Sequence, residues 1–355
     1  MVEIIGISLV FSFLLTTGLT PMVISLSKKF ELYDLPDEDR KTHRRRTPFM
    51  GGLAIITPFS LITGFSGFLL FPPPEYNPWF WLVVFGSYIT GLTDDLFEIR
   101  ALKRFLIQLA GAVIMIYGTN LVLPLDAVMT IFNGVPWINF IFTVIVFSAI
   151  TNAFNLIDGM DGLCTSLALI ASSAYSIINY LQGNHYYMVL SLVLSGSLAA
   201  FLLFNKPTAK IFLGDGGSYL IGVLLSILTV NFISFEAQPD FTPANRFFVG
   251  FALVAIPGLD MTRVFFLRII RGLSPFTPDR NHIHHLFLSS GLTAGQTLLA
   301  ILGLATFIVV MALVLYRQIP FMLFAGTTTA AYVFLILMLK KYLAGKEAEG
   351  QEVVR

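Results

Sequence analysis

Charge is scarce in this chain. Asp, Glu, Lys and Arg make up 12% of its 355 residues, while 56% are hydrophobic. A soluble domain carries about 25% charged residues, so an ordinary water-soluble fold is excluded and the solvent is mostly lipid. Mean hydropathy, at +0.80, says the same. Cysteine is nearly absent: Cys164 stands alone. That excludes an internal disulfide framework and a thiolate zinc site, and it reads as a small buried hydrophobe. No basic stretch precedes the first apolar run, and Lys28 and Lys29 follow it. Residues 1–26 therefore read as a retained span, not a cleaved signal peptide. No internal repeat of the kind that builds many secondary transporters is visible.

What is present is a series of apolar stretches near the ~20 residues that cross a bilayer. They fall at about 3–26, 49–71, 78–93, 105–123, 136–154, 162–181, 186–204, 218–235, 246–267, 293–316 and 320–339. A chain in lipid must satisfy its own backbone, so the expectation is an all-α polytopic membrane protein with about eleven transmembrane helices. Residues 1–340 read as one transmembrane catalytic domain and 341–355 as a polar tail. Counting Lys and Arg along alternate loops gives 19 on one side and 2 on the other, with Arg263 near the inner end of its span. The basic side is cytoplasmic, which puts the N-terminus outside and the C-terminus inside. The outer loops, such as 71–77 and 182–184, are short. The acidic, Gly-rich and His-rich segments all fall on the inner side.

Four segments carry chemistry. Asp94 and Asp95 end the third span at the depth of the membrane interface, where a carboxylate is costly and usually functional. As adjacent helical residues they point about 100° apart and need not share a role. An acidic cap neutralised by Arg100, Lys103 and Arg104 is the plain alternative. Asn152, Asn155, Asp158 and Asp161 recur every three residues up to Gly162, so Asn155 and Asp158 can converge on a helix face. Hard oxygens on a flexible backbone suit Mg²⁺, which takes one or two carboxylates plus phosphates and waters. Lys210 precedes Gly214-Asp215-Gly216-Gly217-Ser218, where glycines at a helix start can expose N–H groups to an anion. Last, Asp279-Arg280-Asn281-His282-Ile283-His284-His285 gathers three of the five histidines beside an arginine. Zinc lacks a fourth nitrogen or sulfur ligand here, and a phosphate suits Arg and His better. The run Arg44-Arg45-Arg46 beside Lys41 fits contact with anionic headgroups.

Oxygen ligands for Mg²⁺, cations for phosphates and a site at the lipid–cytosol boundary outline phosphoryl transfer, which needs positioning and charge neutralisation. These four segments, in this order, resemble the polyprenyl-phosphate N-acetylhexosamine-1-phosphate transferases, and the resemblance covers nearly the whole chain. Ser274 to His285 looks like the WecA and TagO branch, since the MraY branch carries three consecutive histidines. The resemblance implies transfer of N-acetylglucosamine-1-phosphate from UDP-GlcNAc to undecaprenyl phosphate, with UMP released, in the bacterial inner membrane. Its cofactor would be Mg²⁺, with Mn²⁺ as a substitute. The lipid bilayer is a further partner, a homodimer is left open, and no nucleic acid is expected.

The resemblance also distributes roles. Asp215 and Asn155 are the implied metal ligands; Asp94, Asp95 and Asp158 the implied catalytic carboxylates. Asp161 matches a nucleotide-pocket position, and Asn152 and Lys210 would contact substrate. Lys103 would hold a phosphate, with Gln108 following as in the family. Arg280, His282, His284 and His285 would bind donor phosphates or sugar. Glu98 stands where MraY-like sequences have lysine. One-step attack by the lipid phosphate, with Asp94 positioning or deprotonating it, and a covalent aspartyl intermediate both remain open. So do three other readings: a transferase for UDP-MurNAc-pentapeptide or another UDP-sugar, a secondary transporter, and a CDP-alcohol phosphotransferase suggested by Asp158-Gly-Met-Asp161-Gly162. All of these expectations require distant carboxylates and imidazoles to gather around one diphosphate.

Overall fold

The computed structural model describes residues 2–34, 46–70, 77–127, 129, 131, 135–235, 242–277 and 279–352. Lys41 and Arg44-Arg45 of the basic run, and most of the outer loop at 71–77, lie outside them. The chain divides into two compact units, Met1–Arg246 and Phe247–Arg355.

Among the described residues twelve α-helices follow in order: α1 (Val2–Lys29), α2 (Gly51–Leu70), α3 (Pro78–Phe97), α4 (Ala101–Thr119), α5 (Pro136–Ile157), α6 (Leu163–Leu181), α7 (His185–Asn205), α8 (Gly214–Ser234), α9 (Pro243–Ile270), α10 (Ile283–Ser289), α11 (Ala294–Leu315) and α12 (Phe321–Glu352). A two-residue antiparallel pair, β1 (Tyr33–Asp34) with β2 (Thr47–Pro48), is the sheet found among the described residues. Each apolar stretch expected from the sequence coincides with one long helix, α10 being the short one. Among the described residues nine helices are long and apolar enough to cross a membrane, α2 adds a shorter apolar segment, Gly51–Phe65, and α3 is not one of the nine. α12 runs on through most of the residues read as a tail.

In the first unit α8 is the hub. Every residue from Gly216 to Ile233 is buried, and α8 packs against α2, α3, α5 and α6. Lipid gives little hydrophobic drive between helices, so small residues and hydroxyl bonds fasten them. A Cβ at Gly222 would come within 2.7 Å of the Thr151 carbonyl. Thr151 and Ser226 hydroxyls meet at 3.1 Å, and Tyr175 and Thr229 at 2.7 Å. Outward-facing Leu14, Leu61, Ile89, Phe65 and Ile145 remain exposed, as lipid contact requires.

The second unit takes most of α9 with α10, α11 and α12. Rings of Phe248 and Phe324 stack at 4.2 Å, and Phe251 meets Phe321 edge-on. The short α10 rests on α11 and α12. α11 starts with a capping box, Thr293 and Gln296 each satisfying the other's backbone N–H.

Candidate active site

The start of α8 is where the first unit's acidic segments meet. The strand segment ending at Pro48 accepts from the Phe212 N–H at 2.7 Å, and the amides of Gly51 and Gly52 donate to the carbonyls of Phe212 and Leu213. These bonds tie the first turn of α2 to the chain entering α8. Gly214 has φ +75°, and a Cβ there would lie 2.2 Å from the Phe49 carbonyl, so only glycine fits. Opposite, α3 approaches so closely that a Cβ on Gly91 would sit 2.3 Å from the Asp215 carbonyl oxygen.

The two adjacent aspartates of α3 do different jobs. Asp95 accepts from the Asp215 N–H at 2.8 Å and the Gly216 N–H at 3.0 Å. It satisfies two of the amides that a helix start leaves unpaired. Asp94 is buried; one of its oxygens accepts from the Ile99 N–H at 2.7 Å. Its other oxygen is bonded to Arg104 of α4. The same guanidinium nitrogen lies 3.7 Å from Asp215, so one positive charge is shared by two carboxylates. Asn155, in the last turn of α5, donates to Asp215 at 2.8 Å and to the Ser218 hydroxyl at 2.9 Å. In this arrangement its amide nitrogen orients Asp215, and a ligand role would use its carbonyl oxygen.

Asp158 closes α5, its own N–H bonded back to Asn155. Burial pushes its carboxyl well above the usual carboxylate range, and the charges of Asp215, Asp95 and Asp161 add to the rise. Asp161 accepts from the Ala209 N–H at 2.9 Å, linking the 158–162 turn to the loop before α8. Asn152 lies one turn before Asn155 and is half-buried, while Lys103 and Lys210 are exposed. Lys103, assigned a phosphate by the resemblance, is thus the neighbour of the cation that enters the cluster. Gln108, one turn beyond Arg104, is buried with neither side-chain polar atom hydrogen-bonded among the described residues.

The second unit contains a different cluster. Nδ1 of His282 and a carboxylate oxygen of Asp260 in α9 share a hydrogen bond of 2.7 Å. Asp260 also accepts from Arg263 at 2.8 Å, the Ile283 N–H at 3.0 Å and the Tyr332 hydroxyl at 2.8 Å. The ring of His284 stacks 6.0 Å from His282 and 4.2 Å from His285. His284 is 1% exposed, and neither of its ring nitrogens has a hydrogen-bond partner among the described residues. Burial, then the charges of His285 and His282, pushes it down to about 3. His285 is lowered by burial, His282 and Arg280. Arg280 is exposed. Asp279 binds Arg268 at 2.9 Å and the Asn281 N–H at 2.8 Å. Partial burial would raise the Asp279 carboxyl, but these bonds hold it below its ordinary value.

Sequence reasoning therefore found the aspartates that gather at α8 and the histidines that gather on α10. It missed Asp260 and Tyr332, which belong to no motif. Asp260 had a signal: a lone carboxylate in an apolar span is costly and needs a reason.

Residues 78–233 match the glycosyl transferase family 4. Over 302 residues the chain is 31% identical to the probable undecaprenyl-phosphate N-acetylglucosaminyl 1-phosphate transferase of Bacillus subtilis (strain 168), covering 84% of this chain and 81% of that relative. The undecaprenyl-phosphate alpha-N-acetylglucosaminyl 1-phosphate transferase of Escherichia coli (strain K12) is 30% identical over 304 residues, 84% of this chain and 80% of its own length. Its namesake from Thermotoga maritima is 31% identical over 269 residues, 76% and 77% of the two chains. A polytopic helical scaffold with this likeness is, in class, a membrane transferase. The chain belongs to the family of these undecaprenyl-phosphate N-acetylglucosaminyl 1-phosphate transferases.

Proposed function

We propose that the protein transfers N-acetylglucosamine-1-phosphate from UDP-GlcNAc to undecaprenyl phosphate and releases UMP, at the cytoplasmic face of a bacterial inner membrane. The observation that carries this reading is the single cation shared by Asp94 and Asp215, carboxylates from α3 and α8 that have Asn155 beside them. The names of the relatives support the acceptor and the N-acetylglucosamine-1-phosphate group, the likeness of the motifs supports a UDP donor, and the distribution of Lys and Arg supports the face.

A divalent cation fits this donor set. The oxygens are hard, and two carboxylates already converge on one positive charge. Among the described residues no group of three or more His, Cys, Asp or Glu side chains could hold a metal ion by itself, so substrate oxygens would have to share in the binding. Asp215 and Asn155 would hold Mg²⁺, or Mn²⁺, with diphosphate and water completing the shell. Bound there, the ion supplies charge neutralisation at the phosphoryl oxygens.

The chain's own residues do the rest. Asp95 fixes the first turn of α8 and so the place of Asp215; Asn155 fixes the rotamer of that carboxylate. Arg104 stands ready to trade carboxylate for phosphate oxygens. Arg280, His284 and His285 bind the donor, and the neutral imidazoles take hydrogen bonds from or give them to sugar and phosphate groups. The reaction runs in one step: an oxygen of the lipid phosphate forms a bond to the sugar-bearing phosphorus. The bond from that phosphorus to the bridging oxygen breaks, and UMP leaves with the electron pair.

The test is purified protein in detergent with undecaprenyl phosphate and sugar-labelled UDP-GlcNAc, UDP-GalNAc or UDP-MurNAc-pentapeptide. Label from UDP-GlcNAc should enter the organic phase with one UMP released per transfer. Transfer from another donor would replace the sugar assignment. Substrate flux across proteoliposomes without UMP would replace the enzyme reading with transport.

A further inference from the structure

Asp260 lies within a long apolar helix, yet no motif claims it, and four partners converge on its carboxylate. Three of them, Arg263, the Ile283 N–H and Tyr332, crowd onto Oδ1. Oδ2 faces His282, at 2.7 Å. A carboxylate held ionised by a guanidinium and two further donors can only accept, so the hydrogen between Oδ2 and Nδ1 must belong to the imidazole. The ring is then fixed twice over. Its tautomer is set by that bond, and its orientation by the Ile283 amide, which holds the next residue of the chain to the same carboxylate.

We infer that Asp260 is a positioning residue for His282. It keeps Nδ1 protonated and leaves Nε2, on the opposite edge of the ring, as the nitrogen that meets the sugar-phosphate donor. The logic is that of a carboxylate orienting an imidazole, in which the hydrogen bond on one nitrogen decides what the other can do. Arg263 and Tyr332 hold the carboxylate. Arg263 also donates to the Asn281 carbonyl, which ties α9 to the residue before His282. The effect on turnover rests on the transferase reading; the tautomer does not.

The experiment separates the two. With only five histidines in the chain, ¹⁵N-histidine labelling of the whole protein in detergent resolves each ring, and His282→Gln assigns the His282 signals by their loss. Nδ1 of His282 should carry hydrogen in the wild-type protein. A bare Nδ1 with the hydrogen on Nε2 overturns the inference without any Asp260 variant. In Asp260→Asn the Nδ1 hydrogen should be lost or averaged, and kcat should fall at least ~10-fold while the KM for undecaprenyl phosphate stays put. Adding His282→Gln to Asp260→Asn should cost nothing beyond His282→Gln alone, because one residue acts through the other. Multiplying losses, or an unchanged spectrum in Asp260→Asn, would make Asp260 a mere strap between helices and overturn the inference. Tyr332→Phe removes a different bond from the same carboxylate, so it should leave the His282 signature intact. A protein with the expected tautomer but no UMP release would sink the transferase reading instead.

Discussion

The two clusters solve opposite problems. Around Asp215, carboxylates outnumber cations: Asp94, Asp95 and Asp158 are within electrostatic reach, Asp161 joins through Asp158, and Arg104 is the cation found among them in the described residues. Around Asp260 the ratio reverses: one carboxylate gathers Arg263, His282, Tyr332 and an amide, while the ring nitrogens of His284 are unmet among the described residues. The first arrangement is short of positive charge and the second short of acceptors. A cation-poor acidic cluster invites a metal ion; a donor-rich one beside the neutral ring of His284 invites oxygens of a sugar or phosphate. Under the proposed function, both kinds of deficit, and not just the presence of conspicuous motifs, are what the substrates would fill.

The sharpest way to break this contrast is Asp215→Asn. UMP release should fall by roughly 10³-fold or more, the scale of removing a preorganised charge from a reacting site, while thermal unfolding in detergent changes little. Near-normal turnover would dissolve the metal assignment. Arg104→Gln should come next. Turnover falls about 10²-fold, and the unfolding temperature without metal drops because two carboxylates lose their shared counter-ion. Added Mg²⁺ should then stabilise the variant more than the wild type; equal stabilisation would mean that guanidinium and metal do not occupy equivalent places.

His284 gives a pH signature that the acidic cluster does not share. Its folded-state value of about 3 lies below the ordinary 6.5, so the unfolded chain takes up the proton first. The wild type should therefore lose about 1.4 kcal/mol of stability per pH unit from this group as pH falls from 6.5 towards 3. His284→Gln should flatten that slope while leaving Mg²⁺ stabilisation untouched, and it should raise the KM for UDP-GlcNAc. A slope identical in both proteins would return His284 to a passive core role. Smallest is Asp95→Asn, expected to cost about 1 kcal/mol of stability, the usual scale of a lost helix cap, read by thermal unfolding.

How much of this was legible in the sequence follows from what lipid dictates. Backbone self-satisfaction and bilayer thickness fix helix type and length, so the eleven apolar stretches map one to one onto the long helices. The aspartate and histidine motifs stood out because polar groups at a membrane edge are expensive. Pairings between distant residues were not legible. Asp95 bonds amides 120 positions further along the chain, and no local pattern announces that. Lys103 and Arg104 were indistinguishable as neighbours until the rotation of α4 turned one outward and the other toward Asp94. Asp260 escaped because motif spacing draws the eye to clusters, whereas its partners come from three separate segments.

Asp95 changes how mutagenesis at the adjacent aspartates should be read. A dead Asp95 variant would not testify that this carboxylate touches any reactant, since losing its grip on the Asp215 and Gly216 amides would let the neighbouring helix start drift. Inactivity at Asp94 and inactivity at Asp95 would have different origins, one in charge and one in architecture, and only crystallising or cross-linking the inactive proteins tells them apart.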